Sequence, residues 1–189
     1  MMRRTYLFLS IALVLLFNAG AAGAVTLGIS ASPGTNSPGL GRIALNATAS
    51  AVTVLVTPAS AISITSANGV FLPGAGTSGT ASPTVSTVTA TCTGGAACGT
   101  GTYTVTAAQS GNTGNTATLT SFTASMTAAN CTRCTFGATG TSVAFPLTIH
   151  GQSGKNNWTA VFTMGMTVNF SGVSNGTGAT SVSYTISVN

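Results

Sequence analysis

The sequence predicts an all-β protein, a Greek-key sandwich of about nine or ten short strands. Apolar residues recur with period two along most of the chain, in runs built from Val, Ile, Phe and Thr, and such alternation marks strands buried on one face. Clusters of Gly, Asn, Pro and Ser punctuate the runs at the close spacing that sandwiches use. No stretch carries the periodicity of an amphipathic helix.

Val25, Leu27 and Ile29 alternate in the first run, and Ser32 to Gly41, with Pro33, Gly34, Pro38 and Gly39, forms a flexible connection. Ile43 to Leu45, Val52 to Val56 and Ile62 to Ile64 read as short strands, followed by a tight turn at Asn68-Gly69. Pro73 to Pro83 is a Gly, Ser and Thr loop, and the strands Thr84 to Cys92 and Thr102 to Ala108 flank Thr93 to Gly101. Gly111 to Asn115 is turn material before Thr116 to Met126, where the apolar phase slips between Leu119 and Phe122. A slip of that kind predicts a bulge.

Val143, Phe145, Leu147 and Ile149 share one face of a single run, with Pro146 on the other face pointing to an edge or bulged position. From Trp158 the alternation holds through Phe170, about 43 Å at roughly 3.3 Å per residue, with Gly165 as the place for a bend. After Ser171 to Thr180, the last strand sets Val182, Tyr184, Ile186 and Val188 on one face.

Residues 1–24 read as a secretory signal: Arg3 and Arg4, then apolar Tyr6 to Phe17, then small residues ending in Ala22-Gly23-Ala24, with cleavage expected after Ala24. The apolar run falls short of the roughly 20 residues of a membrane-spanning helix, so no membrane span is expected in the mature chain. Residues 25–41 are then an N-terminal strand and hinge, and residues 42–189 a single sandwich domain, secreted or held at the cell surface.

The 189 residues include five Lys or Arg, one His and no Asp or Glu. Without a side-chain carboxylate there is no two-carboxylate glycosidase, aspartic protease, Ser-His-Asp triad, EF-hand or carboxylate-held magnesium. The mature chain keeps Arg42, Arg133 and Lys155 as its fixed cations, too few and too scattered for a nucleic-acid footprint. Neither a catalytic residue nor a cofactor is expected.

Cys92 with Cys98 and Cys131 with Cys134 form C-x5-C and C-x2-C pairs. An even count in a secreted chain predicts disulfides; local pairing closes two tight loops, although four cysteines allow three connectivities. The same four residues also offer a zinc site, against which stand the loose C-x5-C spacing and an oxidising compartment. A redox Cys-x-x-Cys lacks a helix start to lower a thiol pKa.

His150 ends its strand on the face opposite the apolar residues and reads as an exposed strand-end residue. Gly151 to Lys155 lacks the spacing and the following helix of a phosphate-binding loop, and is read as a hairpin turn; a Ser153–Lys155 dyad is the minor reading. Asn46, Asn130, Asn157, Asn169 and Asn175 each open an N-x-[ST] triplet, which matters only in a cell that glycosylates them.

An alternating strand behind the signal, with a Gly and Pro hinge after it, permits assembly by strand addition. Val25, Leu27, Ile29 and Ala31 would leave their own domain and fill alternate pockets along the edge of the next copy. The other reading makes the segment the first strand of its own sandwich.

The sequence resembles the secreted bacterial fimbria-like sandwich proteins in its signal peptide, its Leu40-Gly41-Arg42-Ile43 opening, the Gly101 to Val105 Gly-x-Tyr-x-Val strand, and a final strand bearing Tyr184. The similarity covers most of residues 25–189. It implies an immunoglobulin-like sandwich, a pilin-like or surface-structural role with copies of the same chain as partners, and no catalytic residues. Two other functions are weighed: a monomeric adhesin or carbohydrate-binding module, for which Trp158 and Tyr103 are the mature chain's candidate aromatics, and an outer-membrane barrel. Aromatic girdles are missing and the chain ends in Asn189, unlike such barrels. Missing carboxylates further predict tolerance of acid, because acid destabilisation acts mostly by protonating them.

Overall fold

A computed structural model describes residues 24–32, 34–35, 42–45, 51–65, 69–72, 85–113, 117–171 and 181–189. The signal segment through Gly23, most of the hinge, the Asn68 turn position, the Pro73 to Pro83 loop, Asn46, Asn175 and Leu40-Gly41 lie outside them.

The described residues are mostly strand, in antiparallel sheets: β1 (Thr26–Ser32), β2 (Arg42–Leu45), β3 (Ala51–Val56), β4 (Ile62–Ile64), β5 (Gly69–Leu72), β6 (Thr87–Thr93), β7 (Thr102–Thr113), β8 (Ala117–Met126), β9 (Cys131–Thr132), β10 (Cys134–Phe136), β11 (Gly140–Ala144), β12 (Leu147–Gly151), β13 (Trp158–Ser171) and β14 (Ser181–Val188). One helical turn, α1 (Ala97–Thr100), interrupts them, and a 3-10 turn spans Ala128–Asn130. An eight-stranded sheet is organised around β13, which pairs with β6 and then β3 along one side and with β9 and β8 along the other. β1 lies outside β6, β4 outside β3, and β11 outside β8. The second sheet runs β10-β12-β7-β14, and β2 pairs with β5 separately.

The two larger sheets enclose one core. Even-numbered residues of β13 from Trp158 to Phe170 point into it, and so do Val52, Val54 and Val56 of β3, Val88, Ala90 and Cys92 of β6, Leu147 and Ile149 of β12, and Val182 and Tyr184 of β14. Rings meet across the interior: Phe122 with Tyr184 at 5.7 Å, Phe145 with Phe162 at 6.0 Å, and Tyr103 with Trp158 at 5.1 Å between centroids. The opposite face of the larger sheet carries hydroxyls, with Thr89 and Thr91 on β6, Thr159, Thr163 and Thr167 on β13, and Thr123 on β8.

One expectation is met in detail, and a second position, Gly165, is explained by packing. The phase slip in β8 is a bulge: Thr167 faces Ser121 and Val168 faces Leu119, so Thr120 is the extra residue in the register, its hydroxyl donating to Thr167 O at 3.3 Å. Gly165 marks the point where β13 exchanges β6 for β3. A Cβ there would lie 2.5 Å from the Val56 carbonyl oxygen and 2.7 Å from Pro58 Cδ, so the site admits no side chain and the β3–β4 turn rests directly on the strand.

Other expectations need correction. The run from Val143 to Ile149 is two strands in different sheets, β11 and β12, parted at the cis Phe145-Pro146 bond. Gly151 to Lys155 is a turn, with Lys155 N–H donating to Gln152 O at 3.1 Å and Gly154 at φ 78°, but it carries the chain from β12 to β13 in the other sheet and is no hairpin. Gly69 opens β5, a strand in its own right. These pieces, with the very short β9 and β10, raise the number of strands from the expected nine or ten to fourteen among the described residues.

Candidate functional site

β1 takes its place because alternation gives it one apolar face, and the register with β6 sets Leu27 opposite Cys92, Ile29 opposite Ala90 and Ala31 opposite Val88. The larger residues of β1 thus meet small or slender ones on β6. Val25, Leu27, Ile29 and Ala31 all pack against the core, yet none is fully buried, whereas Val88, Ala90 and Cys92 are completely enclosed. β1 therefore covers an edge of the core without forming its centre. In the isolated chain this segment is the outer strand of its own sheet.

Two contacts fix how β1 sits. At Gly28 a Cβ would come within 2.7 Å of Thr91 Oγ1, so any side chain there would force the Thr91 hydroxyl to move. Just beyond the strand, Thr35 O accepts from Tyr184 N–H at 3.1 Å, so the chain leaving β1 reaches the outer edge of β14 and links the two sheets.

The first end of β1 lies at the pole that carries both disulfides. Cys92–Cys98 and Cys131–Cys134 are bonded, with Cα separations of 5.8 and 5.2 Å, so the local connectivity is the one adopted. Cys92–Cys98 ties the end of β6 to α1. Tyr103 donates its hydroxyl to Ala97 O at 2.9 Å while its ring lies on Trp158, and Trp158 stands opposite Cys92 in the β13–β6 ladder. Close backbone packing completes the pole: a Cβ on Gly151 would collide with the Cys98 carbonyl, and one on Gly99 with the Lys155 carbonyl. Trp158 and Tyr103 are buried core residues, so neither is presented to a ligand.

His150 is exposed at the end of β12, its Nδ1 3.1 Å from Thr102 Oγ1. Ser153 and Lys155 are both exposed, and the Arg133 guanidinium donates to Asn157 Oδ1. Of the N-x-[ST] asparagines, Asn169 accepts from Thr53 Oγ1 at 2.7 Å and Asn130 Oδ1 accepts from Thr127 N–H at 2.7 Å. Among the described residues no His and Cys cluster is placed to hold a metal ion, and no helix is long and apolar enough to cross a membrane.

Sequence reasoning missed two polar devices. Gln109 on β7 donates through Nε2 to Ala117 O at 2.8 Å and accepts from Leu119 N–H at 2.9 Å, so one side-chain amide ties β7 of the smaller sheet to β8 of the larger. Ser86, fully buried, accepts the Tyr184 hydroxyl at 2.6 Å. A lone Ser or Gln in a chain dense with hydroxyls gives no signal that its partner is remote. No family model, characterised protein or solved structure matches this chain.

Proposed function

We propose that this chain is a secreted, pilin-like filament or surface-coat subunit that assembles by β-strand addition. The observation that carries the reading is β1 itself: an outer strand paired with β6 along one ladder and partly exposed at every residue, followed in the sequence by a Gly and Pro segment. Removing it would bare the β6 edge and the core side chains beneath it. An identical strand from a second copy can restore the same ladder and fill the same positions with its own Val25, Leu27, Ile29 and Ala31. Because side chains alternate along a strand, a slip of one residue would turn those apolar groups outward, so the register is defined. Immunoglobulin-like topology belongs to this reading through the resemblance to fimbrial subunits, and two disulfides suit the oxidising exterior where such subunits work.

The apolar interior and hydroxyl-bearing exterior are the reverse of an outer-membrane barrel, which turns apolar residues toward lipid. That contrast favours an assembly subunit over a barrel.

The test compares three chains by cell fractionation and negative-stain microscopy: the intact mature chain, a deletion of residues 25–31, and that deletion with residues 25–32 appended after Asn189 through a flexible linker. Filaments from the first, none from the second, and a folded monomer from the third are expected. Filaments from the deletion equal to those of the intact chain would show that strand exchange is not the mechanism.

A further inference from the structure

The outer face of the larger sheet is hollowed at one place, where the β3–β4 turn and β11 rise on either side of β8 and β13. The trough encloses about 530 Å³, within the range of small-molecule sites, roughly 300–1,000 Å³. Its polar lining is all hydroxyl: Thr57, Thr123, Ser125, Thr141, Ser142 and Thr163. Its apolar lining is Leu55, Pro58 and Ala59 at one end. Among the described residues no charged and no aromatic side chain borders it.

Three irregularities of the backbone build this lining, and a regular sheet would not produce it. Gly165 lets Pro58 lie against β13 without a side chain between them. The turn itself is closed by Ser60 N–H donating to Thr57 O at 3.0 Å, with Ser60 at φ 64°. The register of β11 against β8 shifts between Gly140 and Val143, so the sequence neighbours Thr141 and Ser142 both border the trough, although successive residues of a regular strand face opposite ways. Bulges commonly re-aim a side chain in this manner at binding sites.

We propose that the trough binds a neutral sugar residue. Each hydroxyl can donate and accept, which matches the mixed donors and acceptors around a sugar ring. The Leu55, Pro58 and Ala59 end offers C–H surface for the ring's apolar side. An ionised ligand would find no counter-charge among these lining residues to offset the hydration it loses, so neutral sugars are favoured over uronic or sialic acids. The site is separate from β1 and does not depend on strand exchange.

The test applies the intact mature chain to an array of neutral oligosaccharides of glucose, galactose, mannose and N-acetylglucosamine alongside acidic ones, then titrates the best neutral binder calorimetrically. Thr163→Val, which keeps the volume and removes one lining hydroxyl, is expected to weaken binding about fivefold to tenfold with an unchanged melting temperature. Thr89→Val, on the same face outside the trough, is expected to bind as the parent does. Absence of any neutral binder, equal binding by the Thr163→Val and parent chains, or preference for acidic sugars would each overturn the proposal.

Discussion

The Tyr184 hydroxyl donates to Ser86 Oγ at 2.6 Å, joining β14 of the smaller sheet to the segment that leads into β6 of the larger one. Both residues are fully buried, and the Ser86 carbonyl accepts from Met164 N–H at 3.0 Å, so the bond reaches the central strand. Tyr184→Phe keeps the ring against Phe122 but removes a buried hydrogen bond, and it is expected to cost about 1–2 kcal/mol in denaturant unfolding. Burial pushes the Tyr184 phenol above its ordinary value of 10.0, against the smaller opposing effect of the Ser86 bond. The unfolded chain therefore ionises first: the stabilisation is complete below about pH 10 and is lost as pH rises further. The parent is expected to lose stability above that pH more steeply than Tyr184→Phe, and identical alkaline profiles would contradict the assignment.

The strands were legible because the two sheets share one interior, and the same fact hid the boundary between β11 and β12. When the chain crosses from one sheet to the other at Phe145-Pro146, Val143 and Phe145 before it and Leu147 and Ile149 after it all still face the common core. Alternation continues through the crossing, so periodicity alone reports one strand. The bulge at Thr120 was legible for the opposite reason, since an extra residue shifts the phase. Which strand neighbours which is a long-range property, and with it go the trough and the Gln109 and Ser86 bridges. The two disulfides were within reach because each closes locally.

A chain with no Asp or Glu has no side-chain carboxylate whose pKa folding could depress. The stability that such groups lend near neutrality and lose on acidification is absent from the start. Melting temperatures at pH 7 and pH 2 are expected to differ by only a few degrees in calorimetry at constant ionic strength. A fall of tens of degrees would contradict acid tolerance.

The two disulfides are expected to differ in worth. Cys92–Cys98 spans a sequence separation of 6 and Cys131–Cys134 one of 3, and the larger loop removes more unfolded-state entropy, about 2 kcal/mol. Its sulfur also sits beside the buried Tyr103 and Trp158, with Cys92 Sγ 3.5 Å from the Tyr103 hydroxyl, so its loss disturbs core packing too. Replacing Cys92 and Cys98 together by Ala is expected to cost about 2–4 kcal/mol, and replacing Cys131 and Cys134 about 1–2 kcal/mol. Thermal denaturation of the two double variants checks the order, and a reversed order would show that the pole does not depend on the buried bond.

β1 and β13 are expected to differ in local stability within the larger sheet. β13 is paired on both sides and buries Phe162 and Met164 almost completely, while β1 has one paired side and only partly buried apolar residues. Opening β1 breaks a single ladder and uncovers one edge of the core, leaving its centre enclosed, so it is expected to open locally, below the free energy of global unfolding. Ile29→Ala should then cost about 1 kcal/mol and Phe162→Ala about 3–5 kcal/mol. In native-state hydrogen exchange the amides that β1 shares with β6 should exchange well before those joining β13 to β8, and they should become protected when copies assemble. Equal protection of β1 and β13 in the monomer would mean that β1 is locked into its own sheet and is not available for exchange.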